Sequence, residues 1–592
     1  MRIDLHTSCG EWTSHDGVKL AYRVWQPSSK APTRGVLLFH RGHEHGGRWE
    51  QTVADLQAGG LGDTAFFAWD QRGHGQSPGE RGDAKSVAEV VRDAEFFARH
   101  VVKVHGIPLE DLGVVAHSVG AVIAAAWVHD YAPRIRGMVL LAPALAVRLY
   151  VPGAVPALRI KQGILGRGHV KSYVKAGMLT HDPVEAAAYR QDRAIFRQIS
   201  VRMLLDLHDT GRRLVADAGA ICAPTLLLMA GKDWVVDNRA QCTFYERLGS
   251  RVKQLEQFDG MYHGLLHEKE RTRVVGHIGN FLGERFARRP GYELQAEQDC
   301  GGSTRTEYDR LRLPARRKWV WGMQRGMLGS FGRMSAGIRV GHRSGFDSGV
   351  MLDYVYENKP RGVPLLGTMI DRSYLNSLGW RGIRARREHL ELLLDQAITR
   401  LQSVEKPVRI VDIAAGAGRY VLGILSRRAR ETKGGAPITA LLRDYQEVNL
   451  QAARQLAASV GLSGAVTIEK GDAFDRESLA GLQPRPTIAI VSGLYELFPE
   501  NAGLRRSLAG LAAAIDPGGY LLYTCQPWHP QVEFIARVLT NREGKPWIMR
   551  RRTQGEMDEL VRAAGFEKQE QLIDRWGIFT VSLAQRKGEG PS

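Results

Sequence analysis

Residues 112–127 read LGVVAHSVGAVIAAAW. An apolar run from Leu112 to Ala116 meets His117-Ser118-Val119-Gly120, and an Ala-rich helical segment follows. Strand, tight turn and helix together form the setting that holds a serine hydroxyl exposed on a strained corner. Small residues at Ala116 and Gly120 let the two backbones cross there, so the spacing is that of G-x-S-x-G with alanine for the first glycine. Alone, such a turn equally describes a buried strand-to-helix corner whose serine bonds only the backbone. Its surroundings separate the two.

Upstream, Val18–Trp25 alternates and Gly35–Phe39 is a continuous apolar run, and both are predicted strands. The second ends in His40-Arg41-Gly42-His43-Glu44-His45-Gly46-Gly47-Arg48, where Gly42 can aim its N–H at a developing oxyanion. Thr64–Trp69 is a buried strand closing on Asp70, and a helix is predicted near Val87–His100. Downstream, the strand Gly137–Leu141 is followed by Ala142-Pro143-Ala144. Strands alternating with helices imply a mostly parallel sheet. Leu145–Val215 breaks the rhythm with a long basic insertion of apolar residues at helical spacing, expected as a cap over the sheet's carboxyl edge. Two further strands, Pro224–Ala230 and Val252–Phe258, run into Gly231-Lys232-Asp233 and Gly260-Met261-Tyr262-His263.

Ser118, Asp233 and His263 thus each follow a predicted strand's carboxyl end, in the chain order of the α/β-hydrolase triad. Nucleophilic catalysis needs a base touching the hydroxyl and an acid orienting that base, roles that fall to His263 and Asp233. Asp237 is the rival acid and His267 the rival base. The stretches FHRGHEHGGRWE, DQRGHGQSPGERG, VVAHSVGA, LLAPAL, AGKDWVVD and FDGMYHGLLHE resemble the monoacylglycerol lipase and lysophospholipase branch of α/β-hydrolases over roughly residues 10–288. The resemblance implies a mobile cap, an acyl-glycerol or lysophospholipid ester substrate, no cofactor for this domain, and oxyanion donors from Gly42 and Val119. It departs at Arg41, where the family has glycine, and at Ala116. A peptidase or iminopeptidase of the same fold is the rival reading.

In the second half, a helix is predicted at Glu388–Ser403 and a strand at Val408–Val411, which runs into Asp412-Ile413-Ala414-Ala415-Gly416-Ala417-Gly418. A Gly-rich turn between strand and helix brings backbone N–H groups close to a ligand's charged end, and dinucleotide binding is its common rival. Later acids narrow the choice. Ile438–Leu442 ends in Arg443-Asp444, where Asp444 can bind two ribose hydroxyls. Val466–Glu469 leads to Asp472-Ala473, where Asp472 can accept from an adenine amino group. Thr487–Val491 and Tyr520–Cys525 complete the strands.

DIAAGAG differs from D-x-G-x-G-x-G only at Ala414, and the pattern resembles the class I S-adenosylmethionine-dependent methyltransferases. LYTCQPWHPQVEFIARVL, WIMRRRTQGEMDELVRAAGF and DRWGIFTVSLA look like a methyltransferase family often fused behind such a hydrolase, over roughly 310–588. The resemblance implies S-adenosyl-L-methionine as cofactor, held by Asp412, Ala414, Gly416, Gly418, Asp444, Asp472 and Ala473. Tyr495, Trp528 and His529 are candidates for floor and base of the acceptor site. A non-catalytic cofactor-binding module is the alternative.

The expected organisation is α/β throughout, with two doubly wound domains. A hydrolase sheet spans 1–288 with its cap at about 145–215, a polar linker 289–309 follows, and a Rossmann-like methyltransferase sheet spans 310–592 with a basic entry segment at 310–345. At 592 residues the chain exceeds a single core. Its five cysteines are scattered without C-x-x-C spacing, which argues against a zinc site or disulfide framework and fits a reducing cytoplasm. MRIDLHTSCGEW lacks the basic and apolar regions of a signal peptide, and the longest uncharged stretch, Leu112–His129, divides into strand and helix.

Net charge is +18, and two stretches carry most of it. Leu145–Arg202 holds ten Lys/Arg against three acids, and Arg310–Arg343 holds nine against none. In Arg316–Arg343, Trp319, Trp321, Met323, Met327, Leu328 and Phe331 alternate loosely with arginines. That composition suits either peripheral contact with an anionic membrane surface or a solvated, domain-packing segment. Six glycines from Gly322 to Gly341 weigh against a helix there. No nucleic-acid-binding motif is present.

Overall fold

The structure, a computed structural model, describes residues 5–28, 31–166, 168–315, 317–431 and 438–588. The chain forms two compact units, Met1–Tyr292 and Glu293–Ser592. In the first, strands β1 (Leu5–Thr13), β2 (Lys19–Pro27), β3 (Gly35–Phe39), β4 (Ala65–Trp69), β5 (Leu112–His117) and β6 (Gly137–Leu141) precede the cap. The cap contains the hairpin β7 (His169–Lys171) and β8 (Gln198–Ser200), and β9 (Thr225–Ala230) and β10 (Lys253–Phe258) follow it. The main sheet has the order β1-β2-β4-β3-β5-β6-β9-β10. Only the pairs β1–β2 and β2–β4 are antiparallel. Strands β3 to β6 and β9 are buried along their length, so their near-continuous Val, Leu and Phe runs meet helices on both faces.

Residues Leu5–Thr13, not expected as a strand, pair with β2 over nine positions. Among the residues of this edge strand whose burial is described, Trp12 is the one in the buried apolar core, so hydropathy gave little signal. Between β6 and β9 the chain forms the helices Ala154–Leu165, Pro183–Gln191 and Val201–Ala216 and the β7–β8 hairpin.

The second unit contains β11 (Val408–Asp412), β12 (Ile438–Asp444), β13 (Val466–Lys470), β14 (Ile488–Val491), β15 (Tyr520–Cys525), β16 (Phe566–Ile573) and β17 (Thr580–Arg586). Their order is β13-β12-β11-β14-β15-β17-β16, with β17 antiparallel to both neighbours. The predicted helix at Glu388–Ser403 begins earlier, running Leu378–Gln402.

Most of the stretch expected as a linker is ordered against the second unit. Tyr292–Cys300 forms 3-10 turns and Ser303–Arg312 a helix. The Ala296 carbonyl accepts from Asn501 Nδ2 and Arg505 Nη2, each at 3.0 Å, and Glu307 accepts from Arg551 Nε at 2.6 Å. Its polar composition supplies anchoring groups.

The basic entry segment is also helical, at Lys318–Gly329 and Ala336–Ser344, against the expectation drawn from its glycines. Arg316, its first residue as quoted, lies outside the described residues. Tertiary packing overrides propensity here: Trp321 and Leu328 lie against the cluster of Phe346, Ile535, Val538, Leu539 and Met549. Gly341 is needed for contact, since a Cβ there would stand 2.3 Å from Phe346 Cε1.

One backbone crossing in the first unit leaves no room for a side chain. A Cβ on Gly120 would lie 2.5 Å from the carbonyl oxygens of both Phe39 and His40. Gly120→Ala is therefore expected to destabilise the first unit by about 1–3 kcal/mol or more, read as a lower midpoint in chemical denaturation.

Candidate active sites

Ser118 follows β5 and precedes the helix Val119–Tyr131. Its φ of 56° and ψ of −115° are strained for a residue with a side chain, a cost that persists where the surroundings over-determine the turn. The Ser118 N–H donates to the Leu141 carbonyl at 2.9 Å, tying the corner to β6. His263 Nε2 lies 2.8 Å from Ser118 Oγ, and His263 Nδ1 lies 2.8 Å from Asp233 Oδ2. Asp233 Oδ1 accepts the N–H groups of Val235 at 2.7 Å and Val236 at 2.9 Å. Burial would raise the Asp233 carboxyl, but the His263 charge and these hydrogen bonds outweigh it and hold the group below its ordinary value.

The structure brings together Ser118, His263 and Asp233 and leaves both rivals elsewhere. Asp237 caps the helix Asn238–Arg247 through the Arg239 N–H at 3.0 Å. His267 Nδ1 pairs with Glu185 Oε2 at 3.1 Å. Gly42 and Val119 both line the cavity beside Ser118, and a Cβ on Gly42 would stand 2.9 Å from Val119 Cγ2. That cavity holds about 240 Å³ beneath the cap, whose Leu149, Leu158, Tyr173, Leu179, Leu204 and Leu207 form an apolar wall.

Two supports of this site went unrecognised in the sequence. His117 Nε2 donates to the His263 carbonyl at 2.9 Å, while burial keeps its ring neutral, far below the ordinary histidine value. Arg41, the departure from the family pattern, is buried and donates to Glu44 from Nε at 2.9 Å and from Nη2 at 2.5 Å. Burial opposes ionisation of Glu44, and the Arg41 guanidinium more than reverses this, holding the carboxyl far below its usual range. Arg41 Nη1 also lies 2.7 Å from where a Cβ on Gly264 would be, directly against the His263 loop.

In the second unit the strand order reverses at β11, between β12 and β14. Open parallel sheets bind ligands in the crevice beyond the carboxyl ends at such a point. A cavity of about 820 Å³ opens there, lined by Ala414, Gly416, Asp444, Asp472 and Ala473 among others. Gly416 has φ +56° and a Cβ on it would project into open space, so the loop keeps clear the volume a ligand's charged end would fill. Asp444 is fixed through Oδ2, which accepts the Gly416 N–H at 2.9 Å, and Oδ1, which accepts from Gln446 N–H at 2.8 Å and Asn449 Nδ2 at 3.0 Å. Asp472 Oδ1 accepts the Phe474 N–H at 2.8 Å. Two carboxylate acceptors at successive strand ends, beside the backbone N–H groups of a Gly-rich turn, fit the ribose hydroxyls and adenine amino group of S-adenosylmethionine.

Asp412 and Gly418 lie behind the cradle, away from the cavity wall, which corrects their expected role as direct contacts. Asp412 is fully buried; it accepts the Ala414 N–H at 3.3 Å and the Tyr420 hydroxyl, and burial pushes its carboxyl up to about 7. Gly418, at φ +67°, packs so near β12 that a Cβ would lie 2.4 Å from Leu442 Cδ1.

The acceptor candidates also divide. Tyr495 points into the core, its hydroxyl donating to Ser507 Oγ at 2.9 Å, and Trp528 packs against the cluster of Met351, Trp380 and Phe579. Neither lines the cavity. His529 does, but it is no base. Burial holds it down to about 3, and Nδ1 accepts the Gln531 N–H at 3.0 Å, leaving the proton on Nε2. Three carboxylates that line the cavity were not singled out in the sequence, Asp347, Glu543 and Glu496, the last of which lies 3.5 Å from Arg386 of the helix Leu378–Gln402. The only sequence signal of Glu496 was a place next to Tyr495.

Residues 278–586 match the family model described as "Putative methyltransferase", and residues 30–270 match the one described as "Serine aminopeptidase, S33". The chain is 47% identical over 584 residues to "Uncharacterized protein YnbC" of Escherichia coli strain K12, covering 97% of this chain and 98% of that protein. The first half is 27% identical over 268 residues to a monoacylglycerol lipase of Mycolicibacterium smegmatis, covering 45% of this chain and 93% of that one. It is 29% identical over 289 residues to a Homo sapiens monoglyceride lipase, covering 46% and 89%.

Because the Asp412 carboxyl titrates near 7 when folded and near 4 when unfolded, the folded state holds the extra proton between those values. Its contribution therefore falls as pH rises from about 4 to about 7. Asp412→Asn, which mimics the protonated group, is expected to flatten that part of the second unit's stability–pH profile in denaturation measured across the range.

Proposed function

The chain belongs to the family described as "Putative methyltransferase", with a lipase-like α/β-hydrolase unit ahead of it, and from that premise we propose a bifunctional enzyme acting on membrane-derived lipids. The first unit cleaves acyl esters of glycerolipids or lysophospholipids. Ser118 Oγ attacks the ester carbonyl as His263 Nε2 takes its proton, and Asp233 stabilises the imidazolium that forms. The N–H groups of Gly42 and Val119 meet the oxyanion. The alcohol leaves with the proton from His263, and water, deprotonated by the same ring, then releases the acid from Ser118. The observation that carries this reading is the unbroken chain of 2.8 Å contacts from Ser118 through His263 to Asp233.

A second reading, an aminopeptidase, is favoured by the description of the matching hydrolase family. It would require a carboxylate free to hold a substrate's α-ammonium group. The acid lining the described cavity is Glu44, which Arg41 already engages, whereas the leucine-rich cap wall suits an acyl chain.

The second unit binds S-adenosylmethionine through Asp444, Asp472 and the loop Ala414–Gly416. When bound, that cofactor supplies a methyl group on a positively charged sulfur. The chain's own part is to orient an acceptor in line with that methyl group and to take any proton it loses, for which Glu496 is one of the cavity's carboxylates. The cationic surplus would bring the protein peripherally onto anionic membranes from the cytoplasm. Among the described residues, no helix is long and apolar enough to cross a membrane.

Ser118→Ala is expected to lower turnover of a short-chain ester by about 10³-fold or more, and unchanged hydrolysis by the purified variant would refute the nucleophile. A panel of esters and aminoacyl amides separates the two hydrolase readings by which one is turned over. For the second unit, calorimetry is expected to show S-adenosylhomocysteine binding to the wild type, its loss in Asp444→Ala, and its retention in Asp412→Asn. No heat with the wild type would end the cofactor assignment.

A further inference from the structure

The helix Lys318–Gly329 has two dissimilar faces. Leu328 lines the second unit's cavity, while Trp319, Met323 and Met327, spaced by four, are each more than half exposed. The turn Phe331–Met334 extends the outer face through exposed Phe331. Segment 363–369 is fastened beside that turn. The Val363 N–H donates to the Met334 carbonyl at 3.0 Å, and a Cβ on Gly367 would stand 2.4 Å from the same oxygen. This brings Leu365 and Met369 alongside. Leu365 combines φ +63° with 84% exposure, two costs at one residue that make no sense for a surface meeting only water.

The residues of this face carry charge of one sign: Lys318, Arg325 and Arg333, with no acid in Lys318–Met334 or 363–369, while Arg310 further up the basic stretch pairs with Glu533 at 3.6 Å. Among the described residues Arg317, Lys318, Arg333 and Arg343 form no ion pair with a carboxylate. Clustered cations beside protruding Trp, Phe, Leu and Met side chains are what an anionic lipid surface accommodates: the charges meet headgroups and the apolar tips enter the acyl boundary. A nucleic acid would match the charge but would leave Leu365, Met369, Met323 and Met327 against phosphate and water.

The cavity behind this face has an apolar part. Phe346, Phe534, Leu539 and Trp547 line it together with Leu328, next to the ion-paired Asp347 and Arg542, and Glu496 and His529 line it with the cofactor loop. We propose that the face formed by Lys318–Met334 and 363–369 docks on an anionic bilayer. The cavity bounded by Leu328 then receives its methyl acceptor from that bilayer, as an amphiphile with its apolar body against the aromatic wall and its polar end toward Gly416. This rests on the methyltransferase reading of the second unit. In the transfer, a lone pair on the amphiphile's polar end forms the bond to the methyl carbon and the sulfur keeps the pair of the broken bond. Any proton on the reacting atom passes to Glu496.

The test uses the full chain with vesicles of phosphatidylcholine alone or mixed in equal parts with phosphatidylglycerol. Wild type is expected to sediment with the mixed vesicles, poorly with phosphatidylcholine, and less as salt rises. The triple variant Trp319→Ser, Met323→Ser, Met327→Ser is expected to lose vesicle affinity by about tenfold or more while keeping S-adenosylhomocysteine binding unchanged. Leu365→Ser with Met369→Ser provides an independent second variant of the same face. With methyl-labelled S-adenosylmethionine and vesicles carrying a total lipid extract, label is expected in the lipid phase for wild type and reduced for both variants. Absent or variant-insensitive vesicle binding, label only in a water-soluble product, or preferential capture of nucleic acid would overturn the inference. Loss of S-adenosylhomocysteine binding by the wild type would instead remove the methyltransferase reading beneath it.

Discussion

Both candidate sites depend on one topological constraint. Where two neighbouring parallel strands send their chains to opposite sides, the loops at their carboxyl ends part and leave a crevice. In the first unit β3 lies between β4 and β5, so the Gly42 loop and the Ser118 corner flank that gap. In the second, β11 lies between β12 and β14, and the Gly416 loop, Asp444 and Glu496 surround it. Parallel strands buried on both faces cannot present polar side chains along their length, so chemistry is confined to their ends. Glycine at position 120 makes the first crevice geometrically possible, because the helix leaving Ser118 must pass against the carbonyls of β3.

Around these crevices, buried charge is used to position groups. Arg41 and Glu44 neutralise each other and press on the loop that carries His263. Asp233 is fixed by two backbone donors as well as by the ring it orients. In the second unit, Arg550 and Glu556 are both fully buried and bonded at 2.7 and 2.9 Å, and Asn501 joins the same carboxylate. Removing one member of such a pair strands the other charge in a low dielectric, so each set acts as a unit. Asp412 takes the other course: among the described residues no cation pairs with it, and burial pushes its carboxyl up to about 7, so the neutral acid braces the loop from behind below that pH.

Local signals were most legible where a few residues dictate conformation. Buried strands such as Gly35–Phe39, Gly137–Leu141 and Tyr520–Cys525 are continuous apolar runs, and their boundaries follow from hydropathy alone. The edge strand Leu5–Thr13 and the antiparallel pair β16–β17 were harder to read, since polar residues occupy much of their length: the first is held by its pairing with β2, and in β17 the polar Thr580 and Ser582 are buried beside Val581 and Leu583. The entry helix at Lys318–Gly329 runs against its own glycine content because contacts with Phe346 and Leu539, far along the chain, fix it.

The sequence by itself determined the two α/β units, the order of Ser118, Asp233 and His263 at strand ends, and the loop that frames Gly416. Each follows from periodicity or backbone freedom acting over a handful of neighbours. Tertiary structure decided which side chains face a cavity. It turned Tyr495 into the core and left Glu496, one position on, in the crevice; it paired Glu496 with Arg386 from another element; and it set Asp412 behind the wall that Asp444 lines. Facing depends on what packs on the other side, and those partners lie tens to hundreds of positions away, beyond the reach of any local pattern.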